Sequence, residues 1–202
     1  MMAESVELKI DFPSKIAAML LEDKIDVGLV PVVVIPEMKE YHIISDYCIS
    51  CDGEVASVCL FSEVPLHQVK KILLDYQSKT SVELIKILIK EYWKIDPVVE
   101  ETSGNYQSNI AGTTAALVIG DRALKQRKIS NYIYDLGGEW KKFTGLSFVF
   151  AVWVSNKKLD EKFTVAFNEA NAFGVKILKE VVRENETGIF NLIDYYTRYI
   201  SF

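Results

Sequence analysis

The sequence predicts an α/β protein of two lobes around a cleft, on three observations. Apolar runs of strand type alternate with segments of helical spacing along the 202 residues, and a long middle section is flanked by two pieces with strands and helices of their own. No Pro-, Gly- or Ser-rich linker separates the pieces, so the lobes must be joined by crossing strands, near Ser50–Gly53 and Phe148–Trp153. This places residues 1–52 and 149–202 in lobe 1 and residues 53–148 in an inserted lobe 2. Half of the residues are hydrophobic, enough to bury a core.

Ser5–Asp11 sets Val6, Leu8 and Ile10 against polar neighbours, the period of a strand. Phe12-Pro13-Ser14 opens a helix, in which Ile16, Ala17, Met19, Leu20 and Leu21 recur up to Asp23. Ile25–Pro31 is a continuous apolar run of buried-strand type, which completes a β-α-β unit with the expected right-handed crossover. Tyr41–Ser50 and Val55–Phe61 are strands on either side of Cys51-Asp52-Gly53-Glu54, a turn by its Asp-Gly pair. Val69–Asp75 is a weaker strand. A helix starts at Thr80-Ser81, with hydroxyls at or beside its N-cap and Glu83 in its first turn, and runs to about Lys94.

Ala115–Ile119 is a short buried strand ending at Gly120-Asp121, Arg122–Gln126 starts a helix or turn, and Tyr132–Tyr134 leads to Asp135. Gly137-Gly138 reads as a turn. Phe148–Val154, aromatic and β-branched throughout, is a strand. Asp160–Arg183 forms the longest helix, with an apolar stripe through Phe163, Phe167, Ala170, Phe173, Ile177 and Val181, and a last helix spans Ile189 to about Ile200.

Composition narrows the function. A formal charge of −5 and no run of Lys or Arg remove the footprint that nucleic acid requires. The amino terminus has no basic stretch followed by an apolar one, and no apolar run reaches bilayer length, so a cytoplasmic protein without membrane partners is expected. Cys48, Cys51 and Cys59 are an odd count, and Cys48-x-x-Cys51 has no second pair and no following histidine at a ligand spacing, so no metal site is predicted. With only His42 and His67, no Gly-x-Ser-x-Gly and no glycine-rich phosphate loop, neither a serine hydrolase nor a nucleotide enzyme fits.

Five blocks, in order, are more specific than any of these. They are Ile25-Asp-Val-Gly-Leu-Val-Pro31, Ser50-Cys-Asp-Gly-Glu-Val-Ala-Ser-Val58, Thr80-Ser81 before a Leu/Ile-rich helix, Leu117-Val-Ile-Gly-Asp-Arg-Ala-Leu124, and Tyr134-Asp-Leu-Gly137 with Trp140 leading to Thr144-Gly-Leu-Ser-Phe-Val-Phe-Ala-Val-Trp153. In this order and spacing the chain resembles the chorismate dehydratases of the futalosine route to menaquinone. The resemblance implies a two-lobed, periplasmic-binding-protein-like (type II) fold with the ligand cleft between lobes. It also implies a cofactor-free hydro-lyase that takes water from chorismate to give 3-[(1-carboxyvinyl)oxy]benzoate. A sister enzyme of the same route, which cleaves cyclic dehypoxanthinylfutalosine, is the alternative; it carries a His-Glu pair where Gly120-Asp121 stands here. A non-catalytic binder of small anions on the same fold is another. Family members begin with an earlier strand ending in a Tyr-Leu-Asn-like motif, whereas Met1 stands almost directly before the strand expected at Val6, so the first lobe's sheet is expected to lack one strand.

The resemblance directs attention to particular residues. Asp121, just past a buried strand, is the expected proton-handling residue, and it can equally serve as a cap for the segment after it. Thr80 and Ser81 offer hydroxyls and first-turn amides to a substrate carboxylate or, equally, cap a helix. Ser57, on a strand just past the lobe crossing, is expected to be a second anchor for the substrate or, nearly equally, an ordinary strand serine, and Gly120, beside the acidic residue, is expected to contact substrate. Val30 and Pro31 end a strand where the cleft should open, and their backbone is expected to touch substrate. Asp135, Trp140, Trp153 and the Tyr195-Tyr196 pair are expected to serve structure.

Overall fold

The structure, a computed structural model, describes residues 6–185, 188 and 190–202. Two sheets organise it. The first is antiparallel, of β1 (Val27–Pro31), β8 (Phe148–Ser155) and β2 (His42–Cys51), with β8 between the other two. The second runs β5 (Val98–Glu101), β4 (Lys71–Leu74), β6 (Thr114–Ile119), β3 (Val58–Ser62) and β7 (Tyr132–Asp135). In it β4 pairs parallel with β5 and β6, while β3 pairs antiparallel with β6 and β7.

Apolar runs without alternation become strands buried on both faces. In β3, Val58 and Leu60 face one cluster with Ile72, Leu84, Ile85 and Leu117, while Cys59 and Phe61 face another with Leu73, Ala116 and Val118. Helix α2 (Lys79–Ile87), continued by a π-helical turn over Leu88–Trp93, covers the first of these faces. Helix α1 (Pro13–Leu21) supplies Ala17 and Leu20 to the core of the first sheet, beside Val30, Val152 and Val154.

The chain crosses between sheets after Cys51 and returns at Phe148, residues paired directly opposite one another. The tail closes beside this crossing: Ser50 and Ser201 exchange backbone hydrogen bonds of 2.9 and 2.8 Å, and the Ser50 hydroxyl donates to the Ser201 carbonyl at 2.9 Å. Tyr195, Tyr196, Ile200 and Phe202, grouped by the sequence with lobe 1, pack on the cluster formed by the second sheet and α2.

Several expectations are corrected. Residues 6–12 form no strand, and Ser5 lies outside the described residues. A period-2 pattern becomes a strand only where a ladder partner exists; here Leu8 and Ile10 are 76% and 88% exposed, and the expected β-α-β unit is absent. β1 pairs only with β8 among the described residues. The long helix divides into α5 (Glu161–Lys176) and α6 (Leu178–Glu184) at Ile177, whose ψ of 19 leaves the helical range. Ile189 lies outside the described residues, and the last helix is a short α7 (Leu192–Asp194) continued by a π-helical turn over Tyr195–Tyr199.

Gly137-Gly138 is not a turn: it lies in the first turns of α4 (Leu136–Thr144). Two glycines stand there because α4 presses on the crossing segment. A Cβ on Gly137 would lie 2.5 Å from the Gly53 carbonyl oxygen and 2.6 Å from Cys51 Sγ. Gly137→Ala is therefore expected to destabilise the fold by about 1–3 kcal/mol, the cost of overpacking, although Ala is the better helix former. Urea denaturation of the two proteins checks this, and an unchanged or raised midpoint would refute the close approach.

Candidate functional site

The site grows from the first residues past the crossing. β3 begins at Val58 rather than Val55 because Val55-Ala56-Ser57 forms a three-residue γ-turn, in which Ser57 N–H donates to the Val55 carbonyl at 2.7 Å. Ala56 at its centre has φ +61 and is fully buried. A side chain in this region costs about 1–2 kcal/mol relative to ordinary backbone, so surrounding contacts must impose it.

The turn aims Ser57. Its hydroxyl lies 2.7 Å from the Tyr195 phenol oxygen, and its carbonyl accepts from Gly120 N–H at 2.8 Å. Gly120 takes φ +63, which a glycine adopts freely, and so starts α3 (Gly120–Gln126) directly after β6. Asp121 then falls in the first turn of α3 with its side chain exposed, while the N-cap is Ile119. The cap alternative for Asp121 is thereby removed. Negative charge at a helix start is favourable, and a solvent-facing carboxylate there is free to meet a ligand.

Arg122 anchors this corner from below. Its guanidinium reaches the fully buried Asp75 carboxylate at 2.8 and 3.1 Å and the Gln77 side-chain oxygen at 2.8 Å. Asp75 also accepts from the Tyr106 hydroxyl at 2.5 Å and from Gln77 N–H at 2.8 Å. The guanidinium lies 5.2 Å from the centre of the Tyr76 ring, a cation–π distance. Burial first, and then the hydrogen bond to Asp75, push the Tyr106 phenol far above its ordinary value, so it remains a donor.

Thr80 and Ser81 are both buried, and both hydroxyls are engaged. Ser78 is the N-cap of α2: its oxygen accepts from Ser81 N–H at 3.2 Å and its hydroxyl donates to Ser81 Oγ at 2.8 Å. Thr80 Oγ1 donates to the Phe150 carbonyl of β8 at 3.1 Å, tying α2 to the returning strand. What the helix start can still offer is its first amides, at Lys79 and Thr80, which have no partner within the helix. The Val30 side chain is fully buried in the core of the first sheet. Pro31 caps a 3-10 turn over Val32–Glu37 that packs against α2, with Glu37 and Lys79 4.0 Å apart. A depression of about 250 Å³ lined by Asp75, Tyr76, Ser78, Lys79 and Thr102 adjoins the α2 start; the Ser57 corner is not part of it.

A family profile described as menaquinone biosynthesis matches residues 1–201. The chain belongs to the menaquinone-biosynthesis family. Among its relatives is a chorismate dehydratase of Thermus thermophilus, 28% identical over 189 residues, a match covering 84% of this chain and 69% of that protein. Similar crystal structures include a protein of Archaeoglobus fulgidus (TM-score 0.66, 13% identity, 94% of this chain and 70% of that one). An ABC transporter of Parabacteroides distasonis is also similar (TM-score 0.58, 20% identity, 92% of this chain and 69% of that one). The fold is the two-lobed, periplasmic-binding-protein-like (type II) one, and the menaquinone-biosynthesis family that carries it here is a family of enzymes.

The tyrosine is what sequence reasoning missed at this site. Tyr195 packs on the core as expected, and its hydroxyl is in addition the partner of Ser57. Nothing local signals this, since the two lie 138 positions apart. Burial, with Tyr196, Asp121 and Asp135 adding to it against the Ser57 hydrogen bond, pushes the Tyr195 phenol from 10.0 up to about 12. A raised value favours the neutral form in the folded protein. That contribution is complete below pH 10 and is lost as pH rises through about 12. Tyr195→Phe is expected to lose less stability than the parent across that window, measured by urea denaturation at stepped pH. Identical slopes would show that Tyr195 titrates normally.

Among the described residues no group of three or more His, Cys, Asp or Glu side chains is placed to hold a metal, and no helix is long and apolar enough to cross a membrane.

Proposed function

We propose that this protein dehydrates chorismate to 3-[(1-carboxyvinyl)oxy]benzoate. The observation that carries this reading is the similarity to the Thermus thermophilus chorismate dehydratase, which extends over 189 residues and so spans both sheets. The chemistry asks for little. A ring hydrogen leaves as a proton, the hydroxyl on the neighbouring carbon leaves with its bonding pair and takes up a proton as water, and the ring becomes aromatic. Nothing is oxidised or reduced overall.

The corner has groups for both halves. Asp121 is an accessible carboxylate to receive or relay the ring proton, and the neutral Ser57–Tyr195 hydroxyl pair can donate toward the departing hydroxide. The first-turn amides of α2, at Lys79 and Thr80, suit a substrate carboxylate, reinforced by the helix dipole. In this reading Pro31 and the Val30 backbone contact the substrate from the strand end, beside the 3-10 turn that packs on α2. Holding a flat dianion in one orientation is itself a large part of such catalysis.

The sister reaction finds less support, because neither histidine is near this corner. His42 begins β2, about 30 Å of strand from Cys51, and contacts Glu40 at 2.8 Å. His67 lies on a 3-10 turn beyond the opposite end of β3 from Ser57.

The direct test incubates purified protein with chorismate and resolves the products by chromatography. Time-dependent appearance of the aromatic enol ether, above the uncatalysed background, is expected. Tight binding of chorismate without product would instead favour a non-catalytic binder.

A further inference from the structure

The strained turn that presents Ser57 is gripped from both sides. Both oxygens of Asp135 hold its N–H groups: Oδ1 accepts from Val55 at 2.9 Å and Oδ2 from Ala56 at 2.8 Å. Arg127, at the end of α3, holds the other side, with Nη1 3.4 Å from the Ala56 carbonyl oxygen. The grip is closed by an ion pair, Arg127 Nη1 to Asp135 Oδ2 at 3.5 Å, and by the Cys59 thiol, 3.2 Å from Nη1 and 3.6 Å from Oδ2. Asp135 is 7% exposed, so these bonds act away from bulk water, where charge-assisted hydrogen bonds are strong.

We propose that Asp135 and Arg127 are positioning residues, which clamp the Ala56 γ-turn in its left-handed conformation and thereby set the Ser57 hydroxyl against Tyr195. Capping α4 does not account for the arrangement. That duty uses one bond, Gly138 N–H to Oδ1 at 3.2 Å, whereas the two shorter bonds go to residues about eighty positions earlier. Alanine at φ +61 has no conformational preference for that shape, and the clamp supplies the reason it is adopted. The consequence is a site in which α3, β7 and the lobe crossing share one charged joint.

Asp135→Asn separates clamp from cap. Asn is as good an N-cap as Asp, but its amide nitrogen would face one of the two N–H donors and it carries no charge for Arg127. In this variant the Val55 and Ala56 amides are expected to exchange with solvent by NMR at least tenfold faster relative to the core Leu84 and Leu117 amides, which report any global loss of stability. Turnover of chorismate, an arm that rests on the dehydratase reading, should fall tenfold or more, chiefly in kcat. Adding Ala56→Gly, which adopts positive φ freely, should restore at least half of that loss on a logarithmic scale.

A cap-only role predicts unchanged Val55 and Ala56 exchange and no rescue by glycine; either result overturns the proposal. If the parent protein does not turn over chorismate, the dehydratase reading fails while amide exchange still decides the clamp. Should Asp135→Asn not fold, Arg127→Gln, at a side chain 24% exposed, carries the same two measurements with the same direction expected.

Discussion

Ser57→Ala is expected to lower turnover of chorismate by at least about 10²-fold, the scale of a lost proton-transfer group, with KM changed far less. The substitution also strands the Tyr195 hydroxyl, 2.7 Å away in the parent, in a half-buried position. An unsatisfied buried group costs about 1–3 kcal/mol, so stability must be separated from chemistry. The double variant Ser57→Ala/Tyr195→Phe does so, because removing both partners leaves no orphan. It should regain most of the lost stability and remain as inactive as the single variant. Asp121→Asn, at an exposed carboxylate with no structural duty as a cap, should cut turnover to a similar extent while stability falls by no more than the helix-start charge contributes, about 0.3–1 kcal/mol. Near-normal rates in Ser57→Ala would remove the hydroxyl pair from the mechanism, and near-normal rates in Asp121→Asn would remove the carboxylate.

Asp75→Ala is expected to destabilise the protein by about 3–5 kcal/mol, the cost of breaking a buried ion pair from one side. The carboxylate is fully buried and serves Arg122, Tyr106 and the Gln77 amide together. Without it the guanidinium stays mostly buried with its charge unpaired, since Nη1 already has no partner. A loss of this size is a large share of the ~5–15 kcal/mol that holds a domain together. Asp75→Leu/Arg122→Met, which removes both charges, should cost several kcal/mol less than the sum of its two single substitutions. Urea denaturation of the four proteins gives the coupling directly. Additive losses would mean that the pair does not act as a unit and that α3 is held to β4 by packing alone.

Continuous apolar runs were readable because burial on both faces leaves no polar alternation. Val27–Pro31, Thr114–Ile119 and Phe148–Ser155 are strands as their composition predicts, and α2 starts within one residue of the Thr80-Ser81 signal. The five-block resemblance was enough to indicate the family, and the family profile bears it out. The site was readable only as a neighbourhood: Ser57, Gly120 and Asp121 were singled out, and the structure brings them to one corner by a bond from Gly120 N–H to the Ser57 carbonyl.

Local sequence by itself determined where apolar faces recur, which segments have helical spacing and where hydroxyls stand before a helix. Tertiary structure decided whatever depends on a distant partner. The alternation of Val6, Leu8 and Ile10 records a capacity to pair, and no ladder meets it. Gly137-Gly138 has the composition of a turn, but the backbone of Gly53 approaches too closely for any Cβ, so the glycines serve a helix instead. Alanine does not announce positive φ, and only an aspartate and an arginine about seventy to eighty positions later in the chain impose it at Ala56. Tyr195 reaches Ser57 because the tail is pinned at Ser50 and Ser201. Periodicity reports the environment of a single element, whereas strain, close approach and side-chain pairing come from contacts between elements, which a linear pattern does not encode locally.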